Sequence, residues 1–411
     1  MIAVDDDRTA VRTFDLLDEG VLTVAGIYGP NASGKSNILD ALAWLSAAAG
    51  RSLRAWDEFI PRDPFKFRNG EERPTTFDVD LMVKGSRYNY HLSLTSTEVA
   101  FEGLYHFPLG KQRTLFEREG VEGIKFRRGT ENAAGTRELL TPTTLALSAA
   151  TRLGDPEIRE FGRALSRIGF LDIRRRRVGK LSTLPVQRSG FSTTEQLFMD
   201  RSEYYQPTLA DFEDPDPFSQ PSSAISLLQF ADLGIDDVEV VTESAGEEGE
   251  AYVRRYVRLI HNVGGQKLAF NMADESEGTK TWFRLIGPTL RALRDGQILL
   301  FDEIDASLHP KLSAKLIELF QDPVTNRHGA QLIFTSHDTS LLNHLNRDEV
   351  WLTEKRLDGS TTLSALAEYG GEKVRRSLNL EKAYLQGRFG AVPELDQRVL
   401  KRALGLAGSS E

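Results

Sequence analysis

The chain has 411 residues, 40% hydrophobic and 27% charged, a composition typical of soluble globular proteins with two or three domains. Its 51 basic and 60 acidic residues give a formal net charge of −9, which argues against nucleic-acid binding over the whole surface. Because the chain has no cysteine, disulfides, thiolate catalysis and cysteine-ligated metal centres are excluded, and we expect a cytoplasmic protein. The longest apolar runs, residues 41–49 and 298–301, are far shorter than the ~20 residues of a membrane-spanning helix, so we expect no membrane association.

The N-terminal third of the sequence predicts a strand, a glycine-rich turn and a helix, followed by antiparallel strands. Apolar residues between 21 and 27 indicate the strand, and leucines at helical spacing from Leu39 to Leu45 indicate the helix. Residues 75–107 alternate apolar and polar side chains with a period of two, which predicts an antiparallel meander. We therefore assign residues 1–136 to the N-terminal part of an α/β core.

The rest of the chain predicts a helical insertion and a return to the core. Helical spacing dominates from about residue 137 to 233, although the proline-rich acidic stretch 204–223 interrupts it and predicts a loop. Strands are predicted near residues 236–243, 252–261 and 267–271. Helices and strands then alternate up to about residue 355. We expect the insertion to occupy residues 137–235 and the C-terminal part of the core to occupy residues 236–411.

The clearest motif is GPNASGKS, residues 29–36, which lies between the predicted strand and the predicted helix, as a phosphate-binding P-loop requires. Glycines let backbone N–H groups turn inward around a phosphate, and the helix N-terminus adds its positive dipole end. We expect Lys35 to contact the β- and γ-phosphates of a nucleotide and Ser36 to hold Mg²⁺. The expected nucleotide-binding residues of this region are Gly29, Asn31, Ala32, Ser33, Gly34, Lys35, Ser36 and Asn37.

A second motif follows the apolar segment Ile298–Phe301, which is typical of a buried parallel strand and is followed by two acids, Asp302 and Glu303. The carboxyl ends of such strands border the crevice in which α/β sheets bind ligands. We expect Asp302 to hold Mg²⁺ through water, as a Walker B acid does. Glu303 is expected to polarise an attacking water as general base, a role worth about 10²- to 10⁴-fold in rate.

Three further segments follow in order: DESEGTK at residues 274–280, IDASLHP at residues 304–310 and LIFTSHD at residues 332–338. Together with the P-loop and the acid pair, this order resembles the ATP-binding cassette ATPases. The resemblance implies an α/β fold with a P-loop head of that type, carrying the meander and the helical insertion, and it implies ATP and Mg²⁺ as cofactors. It also implies that Ser276, Glu277 and Gly278 form the signature segment, in which Ser276 and Gly278 meet ATP held by a second subunit. Asp305 then corresponds to the D-loop acid, and His337 to the switch histidine that reaches the γ-phosphate or the water.

Within that superfamily the chain is most similar to ATPases related to the overcoming-lysogenization-defect group that lack a fused toprim nuclease, the RloA- or AbiL-type defence ATPases. The supporting residues are Asp63–Phe67 and Leu380–Pro393. The resemblance implies a homodimer or larger oligomer that acts in antiphage defence beside a separately encoded effector, often a toprim-type nuclease. We therefore expect an ATPase whose turnover drives or gates such a partner.

The sequence departs from this family in two places. Residues 1–19, which precede the P-loop strand, lack the Asn-Phe segment that sets the adenine pocket in the family. No glutamine occurs between Lys35 and Gln112, where the lid glutamine of the family is expected. The adenine pocket and the coupling of the γ-phosphate to the insertion therefore have no assigned residues.

Two alternatives stay open. One is a scaffold that binds ATP, hydrolyses little, and holds or releases an effector. The other is a DNA-repair ATPase of the RecF or SMC kind, which usually needs a coiled-coil arm or a broad basic face, and neither is visible in the sequence. The basic run Arg174–Arg177 either contacts nucleic acid or a partner, or is solvated or internally paired. Nucleic acid is thus expected only through a partner or through this run.

Overall fold

A computed structural model shows how the chain folds. It describes residues 1–3, 11–14, 17–120, 123–130, 133–153, 155–172, 194–199, 217–232, 234–245, 252–306, 308–369 and 379–391. The arginine run 174–177 and the acidic part of the predicted loop, residues 204–216, lie outside these ranges. No helix among the described residues is both long enough and apolar enough to cross a membrane.

Strands and helices alternate along most of the chain. The strands are β1 (Val11–Phe14), β2 (Leu17–Leu22), β3 (Val24–Tyr28), β4 (Thr75–Val83), β5 (Ser86–Leu94), β6 (Val99–Phe107), β7 (Arg113–Glu119), β8 (Lys125–Phe126), β9 (Gly169–Asp172), β10 (Ile235–Ala245), β11 (Tyr252–Val263), β12 (Gln266–Asn271), β13 (Ile298–Asp302), β14 (Gln331–Thr335), β15 (Val350–Lys355) and β16 (Thr361–Ala365). The α-helices are α1 (Lys35–Ala55), α2 (Ala133–Glu138), α3 (Ala146–Leu153), α4 (Pro156–Ser166), α5 (Thr194–Met199), α6 (Pro221–Ala231), α7 (Glu277–Asp295), α8 (Pro310–Gln321) and α9 (Leu380–Leu385). Short 3₁₀ helices lie at Pro108–Gly110, Pro217–Ser219, Thr339–His344 and Leu366–Glu368.

The central sheet has the strand order β16-β15-β3-β14-β13-β9. All neighbours pair in parallel except β15 and β16, which form an antiparallel hairpin at one edge. Parallel strands need crossover connections, and α8 supplies the one between β13 and β14. The predicted α/β P-loop fold is confirmed. β9 lies inside the predicted insertion, residues 137–235, so this segment contributes an edge strand to the central sheet.

The predicted meander is confirmed and extended. β4, β5 and β6 pair antiparallel in sequence order, and β7 and β8 continue the same sheet. The turn between β4 and β5 consists of Lys84 and Gly85, which both have positive φ, as a tight hairpin requires. The predicted strands between residues 236 and 271 form a second antiparallel sheet, β10-β11-β12, which we call the small sheet.

Two apolar cores lie on opposite faces of the central sheet. Along β13, Leu299 and Phe301 belong to one core and Leu300 to the other, because successive side chains of a strand point to opposite faces. The first core packs α7 and α8 against the sheet, and the second packs α1, α3 and α4 against the sheet and the meander. Burial on both faces explains why these strands are apolar throughout.

A buried ion pair connects the meander to the helices. Glu102 and Arg118 are both fully buried, with 3.9 Å between Glu102 Oε2 and Arg118 Nη1. Glu102 also accepts hydrogen bonds from the Tyr90 hydroxyl at 2.9 Å and from the N–H groups of Ala146 and Leu147 at 2.6 and 2.8 Å. Burial raises the pKa of Glu102, whereas Arg118 and these hydrogen bonds lower it. The carboxylate therefore caps α3 while it neutralises the guanidinium.

We expect Glu102→Leu to lower the free energy of unfolding by about 3–5 kcal/mol, because it leaves the Arg118 charge buried without its carboxylate. Urea denaturation monitored by tryptophan fluorescence measures the change. Glu98→Leu, in the exposed turn between β5 and β6, is the control and should change the free energy by less than about 0.5 kcal/mol. Equal losses in the two variants would contradict the role of the ion pair.

Candidate functional site

The ends of three neighbouring strands bring distant motifs together. β3, β14 and β13 lie side by side in parallel, so their carboxyl ends meet at one edge of the central sheet. β3 leads into the P-loop, β13 ends at Asp302, and β14 ends at Thr335. Residues 336–338 follow β14, and we call them the switch segment because they contain the expected switch histidine, His337. Three of the sequence motifs therefore share one edge, which we call the catalytic edge.

Conformation and space both require the glycines of the P-loop. Gly34 is the N-cap of α1 with a φ of 104°, a left-handed conformation that disfavours other residues. A Cβ on Gly34 would lie 2.3 Å from Thr361 Oγ1, so a side chain has no room there. A Cβ on Gly29 would lie 2.2 Å from Thr353 Oγ1. The β15–β16 hairpin thus packs directly against both glycines.

The same hairpin holds the P-loop through hydrogen bonds. Thr353 Oγ1 lies 2.6 Å from Ser33 Oγ, and Thr361 Oγ1 donates to the Ser33 carbonyl at 2.7 Å. Lys355 Nζ donates to the carbonyl of Ala32 at 3.3 Å, and Ala32 has a positive φ of 62°. The shape of the loop therefore depends on three side chains of the hairpin.

Lys35 places a cation inside this loop. The residue is buried, and its Nζ donates to the carbonyls of Gly29 and Pro30 at 2.7 and 3.0 Å. Burial lowers the pKa of the Lys35 ammonium, and the neighbouring carboxylates, Asp302 first among them, oppose that shift. These carbonyl contacts hold the ammonium where an anionic ligand of the loop would meet it.

Ser36 and Asp302 meet beside the loop. Ser36 Oγ donates to Asp302 Oδ1 at 3.1 Å, and Thr335 Oγ1 donates to the same oxygen at 2.6 Å. Mg²⁺ prefers oxygen ligands, so a serine hydroxyl and a carboxylate in contact fit this ion beside a bound phosphate. Asn31 and Asn37 are exposed, in the turn of the loop and in the first turn of α1.

Glu303 has an unusual backbone conformation next to Asp302. Its φ is 56°, and such a conformation costs a residue with a side chain about 1–3 kcal/mol. The Glu303 N–H donates to Thr335 Oγ1 at 2.7 Å, and its carbonyl accepts from the Ala306 N–H at 2.9 Å. The residue is only 9% exposed. Strain held in place by such contacts is typical of functional sites.

Asp305 connects the turn after Glu303 to the switch segment. Its Oδ1 accepts from Ser336 Oγ at 2.7 Å and from the His337 N–H at 3.1 Å. The His337 side chain is exposed. Asp338 then caps the following 3₁₀ helix by accepting from the Ser340 N–H at 2.9 Å. The structure thus brings the expected D-loop acid and the expected switch histidine into contact through the backbone.

Ser276 and Gly278 lie on a different element, at the start of α7 just after the small sheet. Ser276 is the N-cap of this helix, and its Oγ accepts from the Thr279 N–H at 3.1 Å. The helix is 19 residues long, and the positive end of its dipole favours an anion at this N-terminus. Both Ser276 and Glu277 are exposed, so the helix start is accessible.

Three threonines of this site have no motif in the sequence that predicts their contacts. Thr335 lies within the LIFTSHD segment, but nothing in its local pattern shows that its hydroxyl meets Asp302. Thr353 lies near the end of the predicted alternation of helices and strands, and Thr361 lies beyond it, where the sequence predicts no element. Their contacts follow from the position of the β15–β16 hairpin next to β3, which local patterns do not determine.

We expect Thr335→Val to lower the free energy of unfolding by about 1–3 kcal/mol, because valine fills the same volume without the hydroxyl that Asp302 and the Glu303 N–H both use. Urea denaturation measures the loss. Thr335→Ser keeps the hydroxyl and is the control, with an expected loss of about 1 kcal/mol or less for one methyl group. A serine variant as unstable as the valine variant would contradict the role of the hydroxyl.

This chain matches one protein family and is similar to several solved structures. Residues 24–343 match the family described as "AAA domain, putative AbiEii toxin, Type IV TA system". Among solved structures, the SMC head domain from Thermotoga maritima is similar at 15% identity, covering 86% of this chain and 96% of that chain with a TM-score of 0.32. An SmcHead bound to the C-winged helix domain of ScpA is similar at 13% identity, covering 88% of this chain and 98% of that chain with a TM-score of 0.36.

A search of curated proteins finds no significant match. The family match covers more than half of the chain and includes the P-loop, the DESEGTK segment, the acid pair and the LIFTSHD segment. The chain therefore belongs to this family of AAA-domain proteins.

Proposed function

We propose that the chain is a Mg²⁺-dependent ATPase whose composite sites form head-to-tail between two copies, and that its turnover drives or gates a separately encoded effector. One observation carries the proposal: Lys35, the Ser36–Asp302 contact and Glu303 converge at the catalytic edge. Phosphoryl transfer needs a phosphate cradle, a held metal ion and a group that orients the nucleophile, and these residues supply all three.

Nucleotide binding uses the P-loop. Its N–H groups and the N-terminus of α1 hold the phosphates, and Lys35 exchanges its bonds to two loop carbonyls for phosphate oxygens. Ser36 and Asp302 are the residues that hold Mg²⁺, which when bound neutralises charge on the β- and γ-phosphates. The hairpin threonines keep the loop in the shape that this binding requires.

Hydrolysis uses Glu303. Its carboxylate accepts a proton from a water whose oxygen bonds to the γ-phosphorus, while the bond from that phosphorus to the β–γ bridging oxygen breaks and ADP leaves. Thr335 fixes the backbone of Glu303 and the carboxylate of Asp302 at once. His337 contacts the γ-phosphate or the water, and Asp305 holds its backbone.

The second half of each site comes from the other copy. Ser276 and Gly278 lie on α7 rather than at the catalytic edge, and their exposed helix N-terminus suits a phosphate. A two-fold axis that brings one α7 to the other copy's P-loop necessarily closes two equivalent sites. A homodimer is therefore the smallest assembly that this proposal allows.

We place the chain with the RloA- or AbiL-type antiphage ATPases. Support comes from the resemblance of Asp63–Phe67 and Leu380–Pro393 to that group, and from a family description that names a toxin of a toxin–antitoxin system. The proposed effector is a toprim-type nuclease in the cytoplasm. Nucleic acid reaches the complex through this partner or through Arg174–Arg177.

We expect Lys35→Ala to weaken Mg-ATP binding about a hundredfold or more, because the loop loses its charged contact to two phosphates. Glu303→Gln should bind ATP as the wild type does and lose about 10²- to 10⁴-fold in turnover, because an amide cannot accept the proton. Isothermal titration calorimetry and phosphate release measure the two effects, with the exposed Lys111→Ala as control.

Full turnover by Glu303→Gln would show that Glu303 is not the general base. A wild-type chain that binds ATP but releases less than one phosphate per site in a single-turnover experiment would favour the scaffold alternative. Turnover that rises with duplex DNA and falls steeply with salt would favour the DNA-repair alternative.

We expect two inactive variants to restore activity when mixed. Lys35→Ala disables the P-loop half of a site, and Gly278→Asp puts a carboxylate at the phosphate-binding start of α7, where an acid is compatible with the helix. In a 1:1 mixture about half of the dimers contain one copy of each, and each of these has one intact site, so turnover should reach about a quarter of the wild-type value. A mixture as inactive as its components would contradict composite sites.

A further inference from the structure

The segment Asn379–Ala391 packs behind the catalytic edge. It begins with α9, which Asn379 caps by accepting from the Lys382 N–H at 2.7 Å, and it continues through a turn to Ala391. Ala383, Tyr384 and Phe389 are buried in the core that contains β3 and β14. Most of this segment belongs to Leu380–Pro393, which supports the resemblance to the defence ATPases. The proposed function assigns it no role.

Glu381 of this segment reaches the 3₁₀ helix Thr339–His344. Its Oε2 accepts from Asn343 Nδ2 at 2.7 Å, and its Oε1 accepts from Thr339 Oγ1 at 3.3 Å. The 3₁₀ helix begins two residues after His337. Because 3₁₀ helices have poor internal hydrogen-bond geometry, contacts from outside contribute much of what holds them in place.

The rest of the segment contacts the two strands that border the P-loop. Tyr384 packs edge-on against Tyr28, the last residue of β3, with ring centroids 6.2 Å apart. The Tyr384 hydroxyl donates to the Ala391 carbonyl at 2.9 Å, and the Ala391 N–H donates to Glu354 Oε1 of β15 at 3.0 Å. The segment therefore spans the 3₁₀ helix, β3 and β15, each of which adjoins a residue of the proposed site.

Tyr384 of the segment contacts the catalytic edge at Tyr28, and the Tyr28 hydroxyl carries no charge. Burial raises the pKa of Tyr28 far above its ordinary value, and the carboxylates of Asp305 and Asp338 raise it further. The phenol is therefore neutral at physiological pH. Hydrogen bonds to the 3₁₀ helix come from the Glu381 carboxylate at Thr339 and Asn343, and from Gln321 of α8, whose Nε2 donates to the His344 carbonyl at 3.0 Å.

We infer that Glu381 is a positioning residue for the proposed ATPase reaction. It fixes the first and fifth residues of the 3₁₀ helix and thereby the switch segment before it, including His337, while it makes no contact with the nucleotide. The Asp305 contact holds the switch segment from the catalytic side, and Glu381 holds it from behind. This inference rests on the proposed function, because it assigns a role in turnover at the same site.

Glu381→Ala is the main test. We expect kcat to fall about ten- to a hundredfold, because small misplacements of groups around a reacting centre cost factors of this size. The Kd for Mg-ATP should stay within about twofold, because no phosphate contact is lost. Glu381→Gln can accept from Asn343 and donate to Thr339, so it should restore kcat to within about threefold of wild type. Lys382→Ala, on the exposed side of the same helix, is the matched control and should behave as wild type.

Hydrogen exchange of the backbone amides in residues 336–344 gives a readout that does not depend on turnover. We expect faster exchange in nucleotide-free Glu381→Ala than in wild type, and wild-type exchange in Glu381→Gln. Wild-type kcat in Glu381→Ala would overturn the inference. So would parallel losses of kcat, ATP affinity and thermal stability, since a purely structural defect produces that pattern.

The failure of this inference and the failure of the proposed function give different results. If wild type hydrolyses ATP and Glu381→Ala changes neither kcat nor exchange, the positioning role is overturned alone. If wild type binds ATP without hydrolysing it, the ATPase proposal fails and the role in turnover fails with it, even where exchange in residues 336–344 shows that Glu381 still holds the 3₁₀ helix.

Discussion

The arrangement of the site depends on the register of three parallel strands. Thr335 of β14 pairs with Ile27 of β3, and Phe334 pairs with Phe301 of β13. Thr335 therefore lies level with Asp302. Its hydroxyl donates to the Asp302 carboxylate and accepts from the Glu303 N–H. A shift of β14 by one residue would turn Thr335 to the other face of the sheet and break both contacts. Backbone pairing, rather than any single side-chain contact, thus determines which groups meet.

Much of the site could be predicted from the sequence because its motifs are local. The P-loop and the acid pair after an apolar strand each occupy a few consecutive residues, so residue type and spacing indicate them, whereas Ser276 is indicated by the family resemblance. The contacts of Thr353, Thr361 and Glu381 could not be predicted in this way. They depend on which strand lies beside β3 and on where the chain returns after β16, and the periodicity of a segment carries no information about its neighbours in space.

The edge strand β9 also could not be predicted from local sequence patterns. β9 consists of four residues, Gly169–Asp172, after the helix α4, and a short apolar run of this length does not distinguish a strand from the end of a helix. Its pairing with β13 makes it an edge strand of the central sheet. The segment predicted as a helical insertion is therefore joined to the core through β9 and through the packing of α3 and α4 on α1.

In the proposed dimer, electrostatics connect nucleotide binding to the pairing of two copies. The catalytic edge holds the carboxylates of Asp302, Glu303 and Asp305, and the ammonium of Lys35 is close to all three. A triphosphate would bring several more negative charges to this edge, and the single ammonium of Lys35 does not balance them. In the proposed complex, Mg²⁺ and the N-terminus of α1 would supply part of the missing positive charge, and the start of α7 from the second copy would supply a further helix dipole. If pairing of the two copies raises their affinity for ATP by some factor, ATP must raise the affinity of the two copies for each other by the same factor.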